Sequence, residues 1–89
     1  MILHLGRETA VRRRDIVGIF NLETSTISAH TRRFLADAQK GGRVADVCAE
    51  EMPASFVVCE EGRQGETVYV SPIASATLKK RAGILVGSG

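Results

Sequence analysis

The sequence predicts an α+β fold: a small antiparallel-rich sheet packed with one main helix and a short C-terminal helix. Three observations carry this. The chain has 89 residues, the length of one domain. One stretch, STISAHTRRFLADAQKGGR over residues 25–43, has a helical period. The remainder breaks into short β-branched runs separated by Gly, Pro and polar clusters, the pattern of strands and turns.

From the N-terminus, Ile2, Leu3 and Leu5 surround His4 in a strand over 2–5 that Gly6 closes. No second His, Cys or carboxylate lies at ligand spacing from His4, so a structural role is expected and no metal. Residues 9–11 and 16–20 read as strands, with Arg12-Arg13-Arg14-Asp15 between them. Two readings of that run stand side by side. Guanidinium groups beside a rigid strand suit phosphate oxygens, which they bind bidentately. Equally, the run is a solvated junction in which Asp15 neutralises one Arg. Gly18, inside an apolar run, marks a bulge or a close backbone approach.

Residues 21–24 form the turn into the main helix, expected over about 26–41. Ile27, Thr31, Phe34, Leu35 and Ala38 fall on one face, to be buried on the sheet. Arg32 and Arg33 fall outside it and face solvent or a partner. Ser25, Thr26 or Ser28 is the candidate N-cap, and Gly41-Gly42 supplies the left-handed terminator. A strand over 44–48 follows, then a loop over 49–53 whose Pro53 delays the next strand. SFVVC, residues 55–59, is the buried strand, and 66–70 is its hairpin return across a Gly-containing turn. Residues 75–81 form a short helix with Ser75 as a candidate cap. Lys79, Lys80 and Arg81 sit at its C-terminus, where the dipole favours cations. A single domain over 1–82 is expected, with 83–89 as a flexible or oligomer-contacting tail that carries an Ile-Leu-Val island.

Composition narrows the function. Three Phe, one Tyr and no Trp make a thin core, and small aromatic-poor domains gain stability by association. The first residues lack the apolar core of a leader, and no run approaches the length of a membrane span. Cys48 and Cys59 form no disulfide framework, so a cytoplasmic protein is expected, without a membrane partner. Charge is uneven: net +4 over 1–43, −5 over 44–70 and +3 over 71–89. That suits an anionic partner or head-to-tail self-association. No phosphate loop, dinucleotide fingerprint, CxxC or HExxH is present. Glu50 and Glu51 read as solvated loop acids, and the cysteines as structural thiols. The expectation is a protein that is not an enzyme, with no cofactor and no small-molecule substrate.

Four pieces, ILHLG, VRRRDIVGIF, SAHTRRFLADAQKGG followed by VADV, and VYVSPIASATLKKR, stand in the order and spacing of a small bacterial family. Over residues 1–81 the chain resembles the extracellular-matrix regulatory proteins of the RemA/RemB type. The opening and the last piece are nearer the RemB branch. The resemblance implies a compact α+β domain of LytTR-like shape. In the RemA branch it implies ring-like homo-oligomers that bind double-stranded DNA and activate biofilm-matrix genes. It also implies that an arginine at the place of Arg14 matters for DNA binding. Where the RemA branch has an arginine pair before the SFVVC-like strand, this chain has Glu50-Glu51-Met52. Where that branch has Pro at the helix start, this chain has His30. The expected function is therefore a DNA-binding transcriptional regulator acting as a homo-oligomer. Arg12, Arg13, Arg14, Arg32, Arg33, Lys79, Lys80 and Arg81 are its expected phosphate ligands. The alternative is a protein-interaction module whose acidic 44–70 segment binds a basic partner or a neighbouring subunit.

Overall fold

In the computed structural model, which describes residues 1–62 and 65–83, the chain is α+β as expected. The elements in order are β1 (Ile2–Gly6), β2 (Thr9–Arg12), a 3-10 turn (Arg13–Asp15), β3 (Ile16–Asn21), α1 (Leu22–Ser25), α2 (Ala29–Lys40), β4 (Val44–Asp46), β5 (Ser55–Glu60), β6 (Glu66–Ser71) and α3 (Ser75–Arg81). β1 and β2 form a separate hairpin. The other strands make one sheet in the order β3-β5-β6-β4, antiparallel except for the parallel β4/β6 pair.

β5 organises the core because its pleat sends alternate side chains to opposite faces. Phe56 and Val58 meet Ala38, Phe34 and Leu35 of α2, with Val68 of β6. Val57 and Cys59 meet Leu3, Leu5 and Val11 of the hairpin and Leu78 and Ala82 at α3. The sheet is thus a middle layer, with α2 on one face and the hairpin and α3 on the other. Ser71 Oγ, fully buried, donates to the Leu5 carbonyl and accepts from the Ile73 N–H, fastening the hairpin to β6.

The main helix is shorter than its periodic stretch. Asn21 Oδ1 caps α1 by accepting from Thr24 N–H at 3.0 Å, and the Thr26 hydroxyl donates back to the Leu22 carbonyl. These local bonds close one helical turn early, and α2 starts afresh at Ala29. Ile27 falls in the break and is 77% exposed, so it is not on the buried face. Ser28 takes the N-cap position of α2 without a side-chain cap bond. At the far end, Gly42 adopts the expected left-handed conformation, φ +70°.

Two smaller corrections have local causes. The strand expected over 44–48 stops at Asp46, because Asp46 Oδ1 takes the Cys48 N–H at 2.8 Å and makes an Asx turn. α3 spans the expected residues, but Ala74 holds its N-cap position and Ser75 is buried inside it. The bulge foreseen at Gly18 is present, between Ile16 and Gly18 in the β3/β5 register. A Cβ at Gly18 would lie 2.5 Å from the Phe20 ring, so glycine is what lets that ring lie back over the strand. The tail residues 84–89 lie outside the described residues.

Candidate nucleic-acid interface

Arg12 ends β2, and Arg13 and Arg14 occupy the 3-10 turn that joins the hairpin to β3. Such a turn fans consecutive side chains outward, and all three arginines are exposed. Arg12 Nε pairs with Asp15 Oδ2 at 2.8 Å. Arg13 reaches away: its Nε donates to the Ala82 carbonyl, at the C-cap of α3, while its backbone N–H donates to the Met1 carbonyl at 3.0 Å. Arg14 makes no side-chain hydrogen bond or ion pair among the described residues and, with Arg12, Met1 and Ile2, lines a shallow cavity of about 280 Å³.

The Arg13–Ala82 bond fixes where the second cationic cluster lies. Leu78 and Ala82 bury the inner face of α3 against Leu3 and Leu5, which turns Lys80 and Arg81 outward and leaves Lys79 half-buried. The bond thus sets Arg13 against the end of α3, the helix whose last turn carries Lys79, Lys80 and Arg81, while Arg12 pairs with Asp15. Carbonyl dipoles at the end of α3 are electronegative, and Arg13 and the helix's own cations offset them.

Arg32 and Arg33 stand apart from these residues. They ride on α2, across the sheet from the hairpin and α3. Arg32 Nη1 donates to the Thr26 and Ile27 carbonyls, both at 2.8 Å, and so holds the break between α1 and α2. Arg33 is exposed.

Glu23 and the loop that carries Glu50 and Glu51 lie toward the far end of β3, whereas Glu60 and Glu61 follow Cys59, the ladder partner of Ile16 at the strand's start. Leu22 N–H, just past that strand, binds the Ala54 carbonyl at 3.1 Å, which docks the loop carrying Glu50, Glu51 and Met52 there. Glu23 is exposed beside it, and Met52 is 86% exposed. Among the described residues the arginine run makes no ion pair with Glu50 or Glu51; Arg12–Asp15 is the pair formed.

The remaining titratable groups are structural. Cys48 and Cys59 are both free and buried. Burial, with a hydrogen bond to Asp46, pushes the Cys48 thiol up to about 11. Burial, with the charges of Glu61 and Asp15, pushes Cys59 up to about 12. Neither is a thiolate near neutrality, which fits their reading as structural thiols. Tyr69 is held protonated by burial and by donating to Glu61 Oε1 at 2.5 Å. His4 projects outward from β1, and no cluster of metal-ligand type occurs among the described residues. Among those residues no helix is long and apolar enough to cross a membrane.

Sequence reasoning missed two features of this site. One is the bond from Arg13 to Ala82, which are 69 positions apart. The other is the exposed apolar pair Met1 and Ile2 beside Arg12 and Arg14. The outward phase of Ile2, opposite to that of Leu3 and Leu5, is the signal that carried the second.

The chain is thus a small α+β domain with cations on a turn and on a helix end. Comparison with known proteins names the group: the chain belongs to the RemA-like family, described as Extracellular matrix regulatory protein A-like, which it matches over residues 2–82. Extracellular matrix regulatory protein B of Bacillus subtilis (strain 168) is 40% identical over 82 residues, covering 92% of this chain and 90% of that protein. The RemB-branch resemblance is thereby borne out, and the family is one of extracellular-matrix regulators.

Proposed function

We propose that the protein is a DNA-binding transcriptional regulator of extracellular-matrix genes that works as a homo-oligomer. Arg12, Arg13, Arg14, Lys79, Lys80 and Arg81 contact the phosphate backbone, and Arg33 serves DNA that wraps toward α2. The observation that supports this reading is the bond from Arg13 to the Ala82 carbonyl, at the end of the helix that carries Lys79, Lys80 and Arg81. The cations of one copy support weak binding, and repetition across an oligomer multiplies the phosphates neutralised. Backbone contact of this kind orients DNA and leaves sequence preference to shape as much as to base edges.

The test is a duplex-DNA titration by fluorescence anisotropy across a salt series, with oligomeric mass measured on the same sample. Binding is expected to weaken steeply with salt, by a log–log slope of about −0.9 per phosphate neutralised. The K80A/R81A variant should flatten that slope by about 2 for each copy that contacts DNA. Absence of binding at low salt by a folded oligomer refutes the reading.

A second reading is favoured by one observation, the exposed Met52 beside Glu50 and Glu51. An apolar side chain flanked by acids suits a basic protein partner, with regulation then indirect. Loss of partner capture on M52A, with DNA binding unaffected, would separate that role from the first.

A further inference from the structure

Met1 is 76% exposed and Ile2 60%, although Leu3, the next residue of β1, is buried. The hairpin explains the contrast. Its inner face carries Leu3, Leu5 and Val11 into the core, so its outer face carries Ile2, His4, Ala10 and Arg12, all exposed. The β1/β2 register sets Ile2 directly opposite Arg12. The Arg13 N–H holds the Met1 carbonyl at 3.0 Å, and Met1, Ile2, Arg12 and Arg14 line one shallow cavity. Two apolar side chains are thus held in solvent beside two guanidinium groups. Arg12 gives its Nε to Asp15, while Arg14 makes no ion pair among the described residues.

Cations draw in a polyanion, but an apolar side chain gains from the encounter only where the polyanion has an apolar interior within reach. Duplex DNA has one, the stacked base faces beneath its phosphates. Proteins that kink DNA from the minor groove combine arginine contacts with an apolar wedge, Ile and Met among them, that enters a base step. We propose that Ile2, backed by Met1, is such a wedge, with Arg12 and Arg14 on the flanking phosphates. Unstacking is easiest at flexible pyrimidine–purine steps such as TA, so the wedge adds a sequence preference that phosphate contacts lack. An anionic membrane also attracts cations, but holding to it takes a broad apolar helix face or a lipid chain, and here the apolar surface is two side chains. The inference deepens the DNA-binding reading above and rests on it.

The test is a duplex with several TA steps, each adenine of those steps replaced by 2-aminopurine, whose fluorescence rises when it unstacks. Binding is followed by anisotropy on the same samples, and far-UV circular dichroism controls for folding. Wild type should raise the 2-aminopurine signal severalfold at saturation. Ile2→Ser alters an exposed position, so it should still fold and bind, with the wild-type salt slope because no cation is removed, yet leave the signal near that of free DNA. Ile2→Leu keeps the apolar reach and should restore it. Arg14→Ala should flatten the salt slope by about 1 for each copy that contacts DNA. Wild type that binds without raising the signal overturns the proposal, as does Ile2→Ser that raises it fully. Wild type that binds no duplex removes the DNA-binding reading and the wedge together. Capture on phosphatidylserine vesicles that Ile2→Ser abolishes, with no unstacking on DNA, assigns the apolar pair to a lipid surface and overturns the wedge.

Discussion

Alkaline pH is expected to unfold this protein through its core thiols. Cys59 is fully buried on β5, and its pKa is pushed from the ordinary 9.0 up to about 12, by burial first and then by Glu61 and Asp15. A folded pKa raised above its unfolded value stabilises fully below the unfolded pKa, and that contribution is lost as pH rises toward the folded one. Between those two values the unfolded chain has released the proton and the folded chain keeps it. Over that window Cys59 costs about 1.4 kcal/mol of stability per pH unit, or about 2 kcal/mol at pH near 10.5. Cys48, raised from 9.0 to about 11 by burial and Asp46, falls in the same sense over its own window. The Cys59 loss alone is a sizeable share of the ~5–15 kcal/mol that holds a domain folded. The assay is urea unfolding at constant ionic strength from pH 8 to 10.5, on wild type and C59A. C59A should start less stable because of its cavity, yet lose stability with pH less steeply, by about 1.4 kcal/mol per unit. Equal slopes in the two proteins would refute the assignment of the alkaline loss to a buried thiol.

Two further outcomes follow from the packing. Leu78→Ala empties a fully buried site between α3 and the hairpin, and should cost about 2–5 kcal/mol by urea unfolding, with an unchanged midpoint counting against the docking described. Ser71→Ala leaves the Leu5 carbonyl and Ile73 N–H without their shared partner, and should cost about 1–3 kcal/mol, with faster amide exchange at Ile73 as the local readout.

What the sequence disclosed and withheld divides by the range of the interaction. SFVVC announced itself as a buried strand because five of its six β5 positions are buried, one face against α2 and the other against the hairpin. α3 was legible because its inner residues recur at helical spacing. The break before α2 was not, since Ile27 is in phase with the helical face and the bonds that stop α1 belong to Asn21 and Thr26. The parallel pairing of β4 with β6 joins residues more than twenty positions apart, which no local pattern encodes. For the same reason the basic residues were legible one by one, while their division between the hairpin and α3 side and the α2 pair was not. That division depends on Arg13 finding Ala82 and on which face of β5 each helix covers.

The position of the acids bears on how the DNA titration is to be weighed. Glu50 and Glu51 stand where the RemA-type pattern has arginines, and a like-charged loop beside the phosphates would oppose binding. Here the loop is docked at the end of β3 remote from the arginine run. The six residues of that strand span roughly 20 Å at about 3.3 Å per residue. Screening at physiological ionic strength acts over about 8 Å, so repulsion from the loop is largely spent before it reaches the basic end. At low salt the screening length grows to about 30 Å and the acids act at full reach. Repulsion from the loop would thus show as an affinity that rises less on lowering the salt than the basic surface alone predicts, whereas absence of binding at physiological salt would have to be charged to the basic surface itself.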